Sequence, residues 1–160
     1  MFSLPQLIEE DVQELEGALN DLVNKSEATA ALLLDIGGFL VAQQGKVEGF
    51  DYTTIGALAS ASFAATQAMA GLVSESNFSS VYQQGESYSL LLHSIDGQCL
   101  IAVIFRAQIS VGVIKYYATG TIGRISDQLS KARARDPEQG MDLSSLNLAD
   151  PSEVFRQKGQ

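Results

Sequence analysis

Leu4, Leu7, Ile8, Val12, Leu15, Leu19, Leu22 and Val23 recur at three- and four-residue spacing near the start of the chain. That period puts them on one face of a helix. Ser3 and Pro5 suit its first turn, and Glu9, Glu10 and Asp11 favour its positive N-terminal half. The pattern then shortens. Ala30 to Ile36 and Phe39 to Gln43 are apolar runs joined by Gly37-Gly38, a β-hairpin signal because the tight turn needs positive φ. After a loop from Gly45 to Phe50, residues 52–74 carry no charged side chain and are mostly Ala, Ser, Gly and Thr. Asp51 or Thr53 can cap a helix over this stretch.

Phe78 to Gln84 reads as a strand and Gln84 to Ser87 as a turn. Tyr88 to Ile95 and Gln98 to Phe105 are strands joined by Asp96-Gly97, a strong hairpin dipeptide. From Ser110 to about Arg133, the residues Val111, Ile114, Ala118, Ile122, Ile125 and Leu129 share one helical face, although Gly112, Gly120 and Gly123 weaken the helix. The order is α-β-β-α-β-β-β-α. Hairpin links imply an α+β fold: a five-stranded antiparallel sheet with helices on its two faces.

Asp136-Pro137 stops the last helix, which sets a domain over residues 1–135 and a tail over 136–160. The tail's apolar density is too low for a core of its own, so it is expected to be partly disordered or to dock on a partner. Leu143, Leu146, Leu148 and Phe155 are its candidate partner-binding anchors, and Ser152 to Lys158 could form one helical turn.

The charge-free helix constrains the whole molecule. It has no solvated face, so it must be covered on more than one side. The domain's own sheet supplies one cover, and a second copy or another protein supplies the other most simply. A membrane span is the competing reading, but spanning helices draw insertion energy from Leu, Ile, Val and Phe. Here the large apolar residues are only Ile55, Leu58, Phe63, Met69, Leu72 and Val73, so no membrane insertion is expected.

Charge sharpens the partner classes. A formal net charge of −9 opposes binding to a phosphate backbone or to anionic lipid. The cluster Lys131, Arg133 and Arg135 lies where a helix ends and complements its carbonyl dipole. Cys99 is the only cysteine, which points to a reducing compartment. Met1 to Val12 carries acids where a secretory leader needs a positive start and a long apolar stretch. A cytoplasmic location is expected.

Candidate chemistry is sparse. His93, the only histidine, lies mid-strand among leucines, and no nucleophile elbow accompanies it or Cys99. There is no second histidine, cysteine pair or calcium-loop array of carboxylates. Gly120 to Arg124 (GTIGR) lacks the Lys-Ser/Thr of a phosphate loop and reads as close packing of helix on sheet. Arg106 closes a strand as a rim residue. No catalytic residue, metal site or cofactor is assigned, and the chain reads as a non-enzyme. A small-molecule sensor ranks last, because the Ala and Leu runs are expected to fill the space between sheet and helices.

Three segments in sequence resemble the roadblock/dynein light chain family: LLLDIGGFLVAQQG, TTIGALASASFAATQAMAGL, and SLLLHSIDGQCLIAVIFRAQISVGVIKYYATGTIGRI. Together they span roughly residues 5 to 134, and the order and spacing make the resemblance specific. It implies one helix on one face of the sheet and the two terminal helices on the other. It also implies a homodimer, in which the central helices pack together and the strands after them pair. Carried onto this chain, that interface comprises Phe63, Ala64, Gln67, Ala68, Gly71, Phe78, Ser80, Val81 and Tyr82. Bacterial members are similar to MglB-type regulators of Ras-like small GTPases. The resemblance therefore implies a homodimeric regulator or scaffold that modulates a GTPase's nucleotide cycle, the activating type being favoured. The alternative is a non-catalytic adaptor or light-chain-like scaffold in a motor or polarity complex.

Overall fold

The computed structural model describes residues 3–46 and 48–135. Its elements run α1 (Glu9–Ser26), β1 (Ala30–Asp35), β2 (Leu40–Gln44), α2 (Tyr52–Leu72), β3 (Ser80–Gln84), β4 (Tyr88–Ile95), β5 (Cys99–Arg106) and α3 (Val111–Ala134). All strand pairs are antiparallel, in the sheet order β2-β1-β5-β4-β3. The expected α+β architecture and element order are those observed.

The sheet has two buried faces, which explains why β1 and β5 read as unbroken apolar runs rather than alternating ones. Ala31, Leu33, Leu91, Ile101, Val103 and Phe105 point to one side, where Leu15, Leu19 and Leu22 of α1 and Ile114, Ile125 and Leu129 of α3 cover them. Leu32, Leu34, Leu92, Leu100 and Ala102 point to the other, against Ala59 and Phe63 of α2. By length and composition α2 could cross a membrane. Here it lies across the sheet with Gly56, Ala59, Ser60, Phe63 and Ala70 buried.

Two glycines permit the helix–sheet crossing. Gly38 turns the β1–β2 hairpin at φ +91°, and a Cβ there would stand 3.0 Å from the Ala57 backbone. A Cβ on Gly56 would fall 2.7 Å from Leu34 Cδ2 and 3.2 Å from the Gly38 carbonyl oxygen, so a side chain there would force Leu34 to shift. Asp51 is the residue that caps α2, accepting from the Thr54 amide at 3.1 Å and its hydroxyl at 2.6 Å. Those bonds, the hydroxyl's first, hold the Asp51 carboxyl below its usual range.

Three details depart from the sequence expectation. Helix α1 starts at Glu9, not near Pro5, because the Asp11 carboxylate accepts from the Ile8 amide at 2.8 Å and ends the extended segment there. Leu4 and Leu7 still pack against the core from that segment. Strand β3 starts at Ser80 rather than Phe78, since the Phe78 amide and carbonyl are both bonded to the Gln67 side chain, at 3.0 and 2.5 Å. Finally, Gly120 and Gly123 do not serve close packing: both are exposed, and nothing lies within 4 Å of a Cβ placed on either.

Helices α1 and α3 are joined by charge. Asp11 is fully buried and receives both Arg135 guanidinium nitrogens, at 2.7 and 2.8 Å, together with Gln128 Nε2 at 2.7 Å. These bonds, that from Arg135 foremost, hold the carboxyl at about 2 against the cost of burying it. Arg133 donates to the Ser3 carbonyl and to Gln98. The basic cluster at the end of α3 is thus structural, but it acts through tertiary bonds more than through the dipole.

Because the folded-state pKa of Asp11 is depressed, its contribution is present above the unfolded value and is lost as protons bind. Stability should therefore fall as pH drops from about 4 to about 2. Asp11→Asn should remove that segment of the pH profile and cost about 1–2 kcal/mol at neutral pH, measured by urea unfolding. Gly120→Ala and Gly123→Ala should each raise stability by about 0.5–1 kcal/mol in the same assay, because the helix gains propensity with no steric conflict.

Candidate interaction surface

Helix α2 meets its own sheet along Gly56, Ala59, Phe63 and Ala70. Its opposite stripe, Ala57, Leu58, Ala61, Ala64, Ala65, Ala68, Met69 and Leu72, is exposed and wholly apolar. Leu58 is 65% exposed and Leu72 85%. Covering either side chain is worth about 1.5–3 kcal/mol, so water is a poor neighbour for this face. Val73 continues the patch past the helix end.

Beside α2 the sheet ends in β3, which pairs with β4 in the register Ser80↔His93 to Gln84↔Ser89 and with no further strand among the described residues. Tyr82, Gln83 and Gln84 are exposed along it. A row of backbone donors and acceptors therefore stands free next to the apolar stripe, the arrangement that strand addition covers. Gln67 pins the connecting loop to α2 through Phe78, and Gln83 Nε2 donates to the Ser62 hydroxyl at 3.3 Å, so helix and edge are held as one surface.

The residues singled out from sequence divide accordingly. Ala64, Ala68 and Gly71 lie on the outer stripe. Phe63 points the other way and is 7% exposed, inside the chain's own core. Gln67 and Phe78 are engaged with each other. Ser80 and Val81 are half-buried on the edge strand, Val81 against the α2-side core, while Tyr82 is on the opposite face with its ring stacked 6.2 Å from Phe105. Leu58, Met69, Leu72 and Val73 were missed as surface residues. Their signal was present: 58, 65, 69 and 72 repeat at helical spacing, with large apolar residues at three of the four. The tail anchors Leu143, Leu146, Leu148 and Phe155, and the turn expected at 152–158, lie outside the described residues.

Contrary to expectation, the space between α2 and the sheet is not filled throughout. A groove of about 440 Å³ opens along the flank of α2, lined by Ile36, Phe63, Gln67, Phe78, Ser94, Gly97 and Leu100 among others. The small Ser60 and Ala64 side chains leave it open.

Reactive side chains are engaged elsewhere. Burial, with a smaller push from Asp96, raises the Cys99 thiol to about 12, so it carries no thiolate at neutral pH. His93 Nδ1 lies 2.7 Å from the Ser94 carbonyl, and the ring sits opposite Ile101 rather than Cys99. Arg106 stacks 4.6 Å over the Tyr88 ring, and Arg124 bonds Asp21 at 2.5 Å and Glu14 at 3.6 Å. Among the described residues no group of three or more His, Cys, Asp or Glu is placed to hold a metal ion.

Comparison with solved structures returns MglB of Myxococcus xanthus, at a TM-score of 0.75 and 20% identity, covering 82% of this chain and 98% of that one. An MglB with tetrameric arrangement gives 0.74 and 24%, with the same coverage. The gliding protein MglB of Thermus thermophilus gives 0.73 and 23%, again with 82% and 98% covered. At such identities the likeness establishes the fold. Comparison with curated protein sequences gives no significant match. The model of the Roadblock/LC7 domain matches residues 14–105, from within α1 to the end of β5, and by that match the chain belongs to the Roadblock/LC7 family.

Proposed function

We propose that this protein is a homodimeric regulator or scaffold that binds a Ras-like small GTPase in the cytoplasm and modulates its nucleotide cycle. The observation that carries the proposal is the outer stripe of α2, apolar over its whole length and continuous with an open strand edge. A twin supplies both missing covers at once: its own α2 for the stripe, and its β3 for the edge. The domain is then 1–135, with the tail beyond it. The fold shared with MglB proteins supports a regulator of this kind over an enzyme.

Of the modes of regulation, activation by surface complementarity agrees best with the side chains present. Arg106 rests on Tyr88 and Arg124 pairs with acids of α1, so each has a partner within its own chain. A paired platform can instead hold the switch loops of the GTPase in the conformation its own catalytic groups require. The protein itself performs no chemical step.

Ala68→Glu or Ala64→Glu places a charge in the dry contact between twins, and should convert dimer to monomer or aggregate while circular dichroism keeps its helical signal. An unchanged dimer in sedimentation velocity would remove the interface from this stripe. Mixing the protein with its cognate GTPase should accelerate GTP hydrolysis, measured as phosphate release. The His93→Gln variant should retain that effect, and absence of both binding and acceleration would eliminate the regulator reading.

A further inference from the structure

The last turn of helix α3 reaches the β4–β5 turn, which lines one end of the groove beside α2. Arg133 in its last turn donates to Gln98, and Gln98 sits between two residues that line the groove, Gly97 and Cys99. Arg135, two residues on, is clamped to Asp11, so the chain leaves the fold from a fixed point. Twenty-five residues follow it. The seven residues that lead to Leu143, 136–142, can span roughly 23 Å when extended.

The groove has a particular chemistry. None of its lining residues is charged: Phe63, Phe78 and Leu100 supply apolar surface, and Asn77, Ser79 and Ser94 supply neutral polar groups. Its volume, about 440 Å³, falls in the range of roughly 300–1,000 Å³ typical of ligand pockets. The tail carries charges along its length, five acids and two bases, yet it holds one matching stretch. Between Asp142 and Asp150 the sequence LSSLNLA has no charge and three leucines, and it is the longest uncharged run beyond Arg135. Burying either flanking carboxylate would be costly, whereas the stretch between them can enter an uncharged groove at no such cost.

We propose that residues 143–149 of the chain's own tail occupy the groove between α2 and the β4–β5 turn. The leucines lie on the apolar floor, and the backbone meets the neutral polar rim. The groove meets the outer stripe of α2 only at Ala64, so with the tail seated the rest of the stripe stays open to a twin. The tail is then a built-in competitor for any partner that grips the flank. The proposal is independent of GTPase binding, which is measured separately.

Thiol labelling tests it in the full-length protein. In a Cys99→Ser background, Asn77→Cys puts a reporter on the exposed groove rim. A groove covered about nine-tenths of the time should slow labelling about tenfold relative to a chain carrying Leu143→Asp, Leu146→Asp and Leu148→Asp. A Glu86→Cys reporter in the β3–β4 turn should label at the same rate with either tail. Equal rates at Asn77→Cys for the two tails would overturn the proposal. So would a difference that fades on dilution, since that protection would come from another molecule.

Discussion

A sheet can shield only one side of a helix, and α2 has nothing but apolar side chains to show on the other. This mismatch governs the rest of the molecule. The inner side is committed by Gly56, which lets the helix descend onto Leu34, and by Phe63, which fills the layer above Leu32, Leu92 and Ala102. The outer side, from Ala57 to Leu72, then faces water for about four turns without a charge to hold it there. The open edge of β3 lies beside it, tied to the helix through Gln67 and Ser62. One deficit is apolar and the other is a row of backbone groups, and the proposed twin would meet both.

The opposite face of the sheet is built differently. Apart from the buried Asp11, helices α1 and α3 carry their charges outward, and the Asp11–Arg135 and Arg124–Asp21 pairs fasten them. In the first, Asp11 is buried and hydrogen-bonded at both oxygens while Arg135 stays partly exposed, and the pair fixes where α3 ends. The second is exposed and contributes little. The protein thus has a finished side and an unfinished one, and the proposed interface lies on the latter.

Much of this was legible from sequence, for identifiable reasons. The hairpin dipeptides at Gly37-Gly38 and Asp96-Gly97 fixed the strand pairs, and Tyr88–Ile95 was delimited to the residue. Helical spacing located α3 in spite of its three glycines. What failed depended on tertiary contacts. Phe78 looked like strand but gives its backbone to Gln67, and Pro5 looked like a helix start but precedes an Asp11 cap. The orientation of α2 was the hardest to read. Alanines occur at nearly every angle around it, so composition alone could not say that Phe63 faces inward and Leu58 outward. Gly120 and Gly123 misled for the opposite reason: glycine in a helix suggests close approach, and here it meets only solvent. The groove was invisible because it depends on how Ser60 and Ala64 pack beside Phe78 and the β4–β5 turn, which no spacing encodes.

Whether the outer stripe of α2 is covered by a twin is tested most directly by sedimentation equilibrium of the unmodified protein. The account predicts a particle of twice the chain mass over the accessible concentration range. A monomer that persists at high concentration, soluble and folded with Leu58 and Leu72 in water, would contradict it.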